Sequence, residues 1–465
     1  MSIVFGDYTP SKEDNKDLND VYIGVFFDGT SNNRKNIEGR RKDPMLKNTL
    51  MSDNDGSNTS YGNDHTNVDK LQKAYAKDKE KHYYSIYVEG IGTKNPEENE
   101  DGSLRYYGDF TRGQGYGTGE TGLIEKVEKG CFDIVKILKK EGEKKIDSLY
   151  IDIFGFSRGA TAARIFVNEL YKTKNPKNND SYNLGYLGKA FKELDYKIKP
   201  LRIKIRFLGL YDTVSSYGSN VFDDITKDKL PLHIPNVGFT VHLTAEDEHR
   251  KKFPLTNIDS AGYNSKELIL PGVHSDIGGG YKNLTNDNAD EGEIVILTET
   301  SSTIKFEKQR ALDHGWYQEY QLEEHSKYLK GTRKKLSNEY SLVILHLMAE
   351  FGKRKYNIPW NYKNVLDKDY KIPSLLLSIK KRLDEYAFEG KPKMTFFTKK
   401  ELQEKEKRLG NKSNELNLQI EDHRMLMNLR RKYLHCSASM DGAGMEPNKK
   451  YNLIDIDWKR KVISG

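Results

Sequence analysis

Residues 149–165 read LYIDIFGFSRGATAARI, an apolar run that passes through Gly155, Ser157 and Gly159 into a helix-forming stretch. A strand, the pattern Gly-x-Ser-x-Gly and a helix, in that order, are typical of a nucleophile elbow. The serine of an elbow lies on a strained turn, and glycines flank it because side chains there would collide with the neighbouring strand and helix. The pattern therefore predicts Ser157 as a nucleophile at the end of a buried strand.

Four further apolar runs each end at or run into a glycine, aspartate, serine or histidine. They are residues 21–28, 84–90, 203–212 and 267–274. Such runs are typical of strands that are buried on both faces of a parallel sheet. Candidate helices with apolar residues at helical spacing occupy residues 122–140 and 160–170. The alternation predicts an α/β fold of the hydrolase type, with a mostly parallel sheet, flanking helices and a site at the carboxyl ends of the strands.

A serine nucleophile needs a histidine as base and a carboxylate that orients it, and both should follow the serine in the order Asp, His. Asp212 ends the apolar run 203–212, and His274 ends 267–274 ahead of a glycine run. We therefore predict a triad of Ser157, Asp212 and His274. A turn-capping role for Asp212 and a structural role for His274 are the alternatives. Asp276 is the main rival for the acid role, although it can equally fix the glycine turn.

Two backbone donors are needed to stabilise the oxyanion that forms during acyl transfer. The amide of Arg158 follows the nucleophile, and Gly29 lies in the loop after the first predicted strand, so we predict both as donors. Asp28 and Thr30 are expected in the same cleft, Asp28 either orienting a group or capping the loop. Residues 117–122 match Gly-x-Gly-x-x-Gly but follow a loop, and zinc-ligand spacing is missing, so neither a cofactor nor a metal is predicted.

Composition restricts the class of protein. The chain has 465 residues with a net charge of +7, an excess too small to indicate nucleic-acid binding. Cys131 and Cys436 have no metal-site or disulfide spacing and are interpreted as structural. Residues 1–20 lack the features of a secretory signal, and no apolar run reaches the roughly 20 residues that span a bilayer. We expect synthesis in the cytoplasm and, for an exported protein, a route without a cleavable signal.

Three segments are predicted along the chain. They are a polar N-terminal segment (residues 1–20), a catalytic domain (21–300) and a charged helical C-terminal region (301–465) that packs on or extends the catalytic domain. The helices predicted in the last segment are residues 311–335, 340–351, 374–386 and 399–433. Residues 32–69 and 96–119, rich in Asn, Asp, Gly and Lys, are predicted to be long surface loops over the active edge.

Five motifs together resemble the catalytic domain of the first family of type VI secretion lipase effectors. They are FDGT (27–30), GIGT (90–93), GFSRGA (155–160), YDTV (211–214) and GVHSDIGGGY (272–281). The resemblance covers residues 21–282, includes an acidic-basic patch at Asp247, Glu248 and Arg250, and recurs weakly at residues 433–437. It implies an α/β-hydrolase whose triad falls on Ser157, Asp212 and His274, ahead of Asp276 and His435.

The resemblance further implies a phospholipase A that cleaves acyl esters of bacterial membrane phospholipids. Such a protein would be delivered into rival cells with a secretion-spike protein and neutralised in the producer by an immunity protein. Two alternatives stay open. One keeps the triad but takes a soluble ester or thioester, because an elbow does not specify the owner of the acyl group. The other is a non-catalytic platform whose charged C-terminal helices bind a partner.

Overall fold

The computed structural model describes residues 3–4, 19–46, 50, 59–172, 185–197, 202–218, 230–285, 292–409, 413–441, 444–451 and 456–465. Its strands, in chain order, are β1 (Ile3–Val4), β2 (Asn19–Phe27), β3 (Tyr83–Val88), β4 (Glu97–Glu98), β5 (Leu104–Arg105), β6 (Ile146–Phe156), β7 (Arg202–Tyr211), β8 (Phe239–Ala245), β9 (Leu255–Thr256), β10 (Ser265–Leu270), β11 (Glu293–Thr298), β12 (Leu322–Glu324), β13 (Leu329–Arg333), β14 (Lys449–Tyr451), β15 (Ile456–Trp458) and β16 (Val462–Ile463).

The α-helices are α1 (Arg34–Lys42), α2 (Thr59–Gly62), α3 (Asn67–Ala74), α4 (Leu123–Glu141), α5 (Arg158–Tyr171), α6 (Gly185–Glu193), α7 (His274–Gly278), α8 (Ile304–Asp313), α9 (Tyr340–Tyr356), α10 (Leu377–Phe388), α11 (Lys399–Leu409) and α12 (Asn414–Lys432). Within the described part of the chain, none of them is both long and apolar enough to cross a membrane.

A central sheet carries the site. Its strand order is β10-β8-β7-β6-β2-β3, all parallel, and β1 pairs antiparallel with the start of β7. Because parallel strands present their carboxyl ends at one edge, the residues that follow β2, β6 and β7 lie together. The predicted α/β class with a mostly parallel sheet flanked by helices is confirmed.

Both faces of the sheet are covered by apolar packing. On one face, Val25 and Phe27 of β2 share a buried cluster with α4, α5 and α6. On the other face, Phe26 joins a cluster with α3 and α9. Neighbouring residues of β2 therefore face opposite layers, as a strand with alternating side chains requires. This double coverage explains why the strands are apolar almost throughout.

One central strand, β8, is missing from the sequence prediction. The strand contains the buried polar residues Thr240, His242 and Thr244, so its sequence does not read as a continuous apolar run. His242 Nε2 accepts the Thr213 amide at 3.0 Å, and Nδ1 lies 2.8 Å from Glu267 Oε2. Buried polar groups are tolerated in a core when they are paired in this way.

Several predicted elements differ in the structure. The helix predicted at residues 311–335 is wrong: α8 ends at Asp313, and β12 and β13 follow. The helix predicted at 399–433 consists of α11 and α12, while residues 410–412 lie outside the described part. The loops predicted at 32–69 and 96–119 contain α1, α2, the start of α3 and the β4–β5 pair, while residues 47–49 and 51–58 of the first loop lie outside the described part. His274 begins α7 instead of ending a strand.

The C-terminal residues contact the sheet closely. Helix α9 contacts β7 and β8, and β16 pairs with β9 in parallel. Strands β11 to β13 form a small antiparallel sheet, so the region after residue 300 is a mixture of helices and strands. The domain boundary at residue 300 stays a prediction.

Candidate active site

Ser157 occupies the turn between β6 and α5. Its backbone has φ 58° and ψ −128°, a left-handed conformation that non-glycine residues rarely adopt. Its amide donates to the Tyr211 carbonyl at 3.0 Å, and its own carbonyl accepts the Ala160 amide at 3.0 Å. These bonds hold the strained turn in place, and the residue retains 6% exposure. The geometry is that expected of an elbow.

Neighbouring backbone atoms leave no room for a side chain at either motif glycine. A Cβ at Gly155 would lie 2.5 Å from the Gly159 carbonyl oxygen, and one at Gly159 would lie 2.3 Å from the Asp28 carbonyl oxygen. The steric role predicted for both glycines is thus confirmed. The missing side chain at Gly159 also lets the loop after β2 approach the first turn of α5.

Asp212 and His274 are in direct contact. His274 Nδ1 lies 2.5 Å from Asp212 Oδ2, and the imidazole packs between the rings of Phe156 and Phe253, at centroid distances of 4.6 and 5.0 Å. Because Nδ1 donates to the carboxylate, Nε2 is the nitrogen that can accept a proton. Burial lowers the pKa of His274 below its usual value, more than Asp212 raises it. The lowered pKa favours the neutral imidazole, which is the form that acts as a base.

Arg460 forms a buried ion pair with the Asp212 carboxylate. Its Nη1 and Nη2 donate to Oδ1 and Oδ2 of Asp212 at 2.5 and 2.9 Å, and its Nε donates to the Phe253 carbonyl at 2.9 Å. Burial alone would raise the pKa of Asp212, but Arg460 and the hydrogen bond from His274 outweigh it and hold that pKa well below its usual value. Sequence analysis missed Arg460, because it lies 248 positions from its partner in no recognisable motif.

Asp276 has a different partner. Its Oδ1 lies 2.7 Å from Nδ1 of His435, and its Oδ2 accepts the amides of Val273 and His435, both at 3.0 Å. These bonds fix the glycine turn before α7. The structure thus brings the two candidate acids to separate histidines.

The loop after β2 lies beside the elbow, and Asp28 organises it. Asp28 Oδ1 accepts the Gly29 amide at 2.8 Å and the Thr66 hydroxyl at 2.7 Å, while Oδ2 accepts the Tyr87 hydroxyl at 2.6 Å. Burial raises the pKa of this carboxyl to about 6. Since the Gly29 amide already donates to Asp28, its role as an oxyanion donor stays a prediction.

Arg158 connects the elbow to a neighbouring loop. Its Nε donates to Thr30 Oγ1 at 2.8 Å, and its Nη1 donates to the Gly113 carbonyl at 3.3 Å. The side chain thus has a positioning role beside the elbow, whereas the oxyanion role predicted for its amide stays a prediction. Thr30 accepts the hydrogen bond from Arg158, and Asp28 holds the loop after β2 in place through its three hydrogen bonds.

More than half of the chain matches a known protein family. The family model described as "T6SS, Phospholipase effector Tle1-like, catalytic domain" matches residues 23–173 and 167–301. The chain belongs to this family. It is a Tle1-like phospholipase effector of the type VI secretion system, and the resemblance noted in the five motifs is confirmed. No curated protein matches the chain.

Solved structures show where the Tle1-like fold is shared. The structure of the Tle1 effector bound to the VgrG spike from the Type 6 secretion system is 20% identical, has a TM-score of 0.58, and covers 99% of this chain and 95% of that one. An uncharacterized protein from Pseudomonas aeruginosa is 16% identical, with a TM-score of 0.41 and coverage of 89% and 60%. The first likeness extends the shared fold to the residues after 301, which include Arg460 and His435.

Proposed function

We propose that this Tle1-like chain is a serine phospholipase A, with Ser157 as nucleophile, His274 as base and Asp212 as acid. The observation that carries the proposal is the 2.5 Å contact between His274 Nδ1 and Asp212 Oδ2, together with the elbow geometry of Ser157 and the 4.6 Å centroid distance between His274 and Phe156, the residue before the serine. A buried imidazole oriented by a carboxylate, next to a strained serine, is the arrangement that acyl transfer uses.

The reaction follows from these positions. Ser157 Oγ attacks the acyl carbonyl carbon while its proton passes to His274 Nε2, and the carbonyl oxygen takes the negative charge. The tetrahedral intermediate collapses as the imidazolium returns the proton to the leaving glycerol oxygen. Water then attacks the acyl carbonyl carbon while its proton passes to His274, and the imidazolium gives that proton to Ser157 Oγ as the bond to the acyl group breaks and the fatty acid leaves. Asp212 stabilises the imidazolium in both halves.

Arg460 tunes this triad. It keeps Asp212 ionised in a fully buried position, where an unpaired carboxylate would be strongly destabilised. Burial lowers the pKa of His274, and the charge of Arg250 adds to this; Arg460, which contacts the same carboxylate as His274, places a second positive charge near the imidazole. We infer that Arg460 favours the neutral base near neutral pH.

A secretion-spike protein is the delivery partner that family membership suggests for this chain. The Tle1 effector in the solved neighbour is bound to a VgrG spike, and we propose a spike protein as the partner that delivers this chain into target cells. There it would hydrolyse bacterial phospholipids, and a cognate immunity protein would protect the producer. Co-purification of this chain with the spike protein tests the first step. Failure of the two proteins to co-purify would contradict the proposed partner.

Release of fatty acid from phospholipid vesicles tests the chemistry. Ser157→Ala should abolish release and labelling by a fluorophosphonate probe, since both need the Oγ nucleophile. Substrates with distinct acyl chains at the two glycerol positions then assign A1 or A2 cleavage. Undiminished release by Ser157→Ala would refute the proposal, and activity on short soluble esters without any rise at vesicle surfaces would favour the soluble-ester alternative.

A further inference from the structure

A second concave site lies next to the proposed triad. It is a cavity of about 420 Å³ between the glycine turn after α7 and residues 435–439, and Ser157, Asp212 and His274 lie outside its lining. Its polar wall includes Arg250, Tyr281, His435 and Ser437. A cavity of this size accommodates a small polar group.

The cavity adjoins the triad from two sides. The Arg250 guanidinium carbon lies 3.4 Å from the centroid of the Phe253 ring, which packs edge-on against His274 at 5.0 Å. Across the cavity, Asn63 Nδ2 donates to the Ser31 carbonyl at 2.8 Å, in the loop that follows β2. One aromatic ring therefore separates the cavity from the proposed base, and the loop of the predicted oxyanion donor borders it.

Arg250 is held rigidly in the cavity wall. Its Nε and Nη2 donate to Oε1 and Oε2 of Glu248 at 2.9 and 2.8 Å, and Glu248 is completely buried. Glu248 also accepts the Ser437 hydroxyl at 3.0 Å and the His274 amide at 3.3 Å. Arg250 Nη1 takes no part in the pair with Glu248. A guanidinium fixed in this way is preorganised to donate to a phosphate oxygen.

His435, also in the cavity lining, has a buried nitrogen without a hydrogen-bond partner among the described residues. Its Nδ1 is held by Asp276, it is only 3% exposed, and its buried Nε2 has no hydrogen-bond partner among the described residues. An unsatisfied buried polar atom is unfavourable, so a ligand that pairs with it gains stability. The ring stacks on Tyr281 at 3.8 Å, and an imidazole Nε2–H is a donor that a phosphate oxygen can accept.

The cavity's lining also carries exposed apolar side chains. Ile294 is 56% exposed and Met445 is 36% exposed, and both belong to the lining. A polar wall that contains the Arg250 guanidinium, beside exposed apolar side chains, suits an amphiphile whose anionic group enters while its chains stay outside.

We propose that this cavity binds the phosphodiester of the phospholipid headgroup, through Arg250 and His435. The proposal rests on the proposed function, because the scissile ester would lie at Ser157. In a glycerophospholipid only the glycerol backbone separates the ester from the phosphate, so adjacent sites for the two are required. The subsite would make the enzyme prefer phospholipids to esters that lack phosphate.

The test compares two substrates with identical acyl chains, phosphatidylglycerol and diacylglycerol, in the same detergent micelles. Arg250→Gln should lower the ratio of the two kcat/KM values by about 10- to 100-fold, the value of a charged hydrogen bond. His435→Gln should lower it less. Arg206→Gln is the matched control, because Arg206 of β7 pairs with buried Asp152 of β6 and lines no part of the cavity, so its loss should leave the ratio unchanged. Arg250→Lys, which keeps the charge but not the fork, should give an intermediate ratio and covers a failure of Arg250→Gln to fold.

Competition separates a headgroup site from a general anion site. Glycerophosphoglycerol should inhibit phosphatidylglycerol hydrolysis more strongly than inorganic phosphate at equal concentration, and Arg250→Gln should remove that difference. Equal inhibition by both, or an unchanged ratio in Arg250→Gln and Arg250→Lys with hydrolysis still dependent on Ser157, would overturn the subsite and leave the proposed function standing. Absence of Ser157-dependent hydrolysis of either lipid by the unmodified chain would instead contradict the proposed function.

Discussion

Replacing Arg460 by alanine tests whether the carboxylate of the triad depends on its buried counter-ion. Arg460 is 7% exposed and Asp212 is fully buried, and two hydrogen bonds of 2.5 and 2.9 Å join them. Removing one partner of a buried pair leaves an uncompensated charge and destabilises a protein by about 3–5 kcal/mol. We expect a fall of that size in the free energy of unfolding, measured by urea denaturation at pH 7.

The same substitution should change the pH profile of activity. Arg460 opposes protonation of His274, so its removal raises the pKa of the imidazole, and the neutral base is then lost at a higher pH. The acid limb of kcat/KM on vesicles should move upward by about one pH unit, which corresponds to about 1.4 kcal/mol of interaction. A purely structural role would not move this limb.

A matched variant separates the two effects. Arg382 donates from Nε and Nη2 to Asp422 at 2.8 and 2.9 Å, in a buried pair of helices α10 and α12. Arg382→Ala should lose comparable stability and keep the acid limb in place. If the limb of Arg460→Ala also stays in place while its stability falls, Arg460 is a structural residue and the positioning argument fails.

Three further outcomes are expected. Gly159→Ala should lower unfolding free energy by about 2–3 kcal/mol in urea titrations, because its Cβ meets a carbonyl oxygen at 2.3 Å, whereas Gly115→Ala, whose Cβ would enter open space, should not. Burial raises the pKa of Glu248, but pairing with Arg250 outweighs burial and lowers that pKa from 4.5 to about 2. The stabilisation from this pair is therefore present above pH 4.5 and is lost as the pH falls toward 2. Glu248→Gln should lower the free energy of unfolding by about 3 kcal/mol at pH 7 and remove its dependence on pH between 4.5 and 2. Asp212→Asn should lower kcat on vesicles by about 10³- to 10⁴-fold, and a comparable loss in Asp276→Asn would contradict the choice of acid.

The parts of the site that follow strands could be predicted from the sequence. An apolar run that ends in a polar residue specifies both a buried strand and a side chain at its carboxyl edge, and this located Ser157 and Asp212. His274 was placed at the correct edge, although it begins α7 four residues after Leu270, the last residue of β10. In each case local sequence carries the information, because buried strands need apolar residues.

The remaining parts depend on contacts between distant residues. Strand β8 is disguised by buried His242, which only its partners make tolerable. The helix predicted over residues 311–335 fails because β13 pairs with β11; Leu329, Gly331 and Arg333 are its buried residues and recur with the period of a strand. Charge patterning alone does not distinguish a solvated helix from such a strand. Arg460 likewise has no local signal.

Pairing of β16 with β9 brings the segment that carries Arg460 beside Asp212. The counter-ion of this buried carboxylate therefore comes from a segment that is joined to β9 by only two paired residues. Local opening of that short pairing would separate Arg460 from Asp212 while the central sheet stays folded.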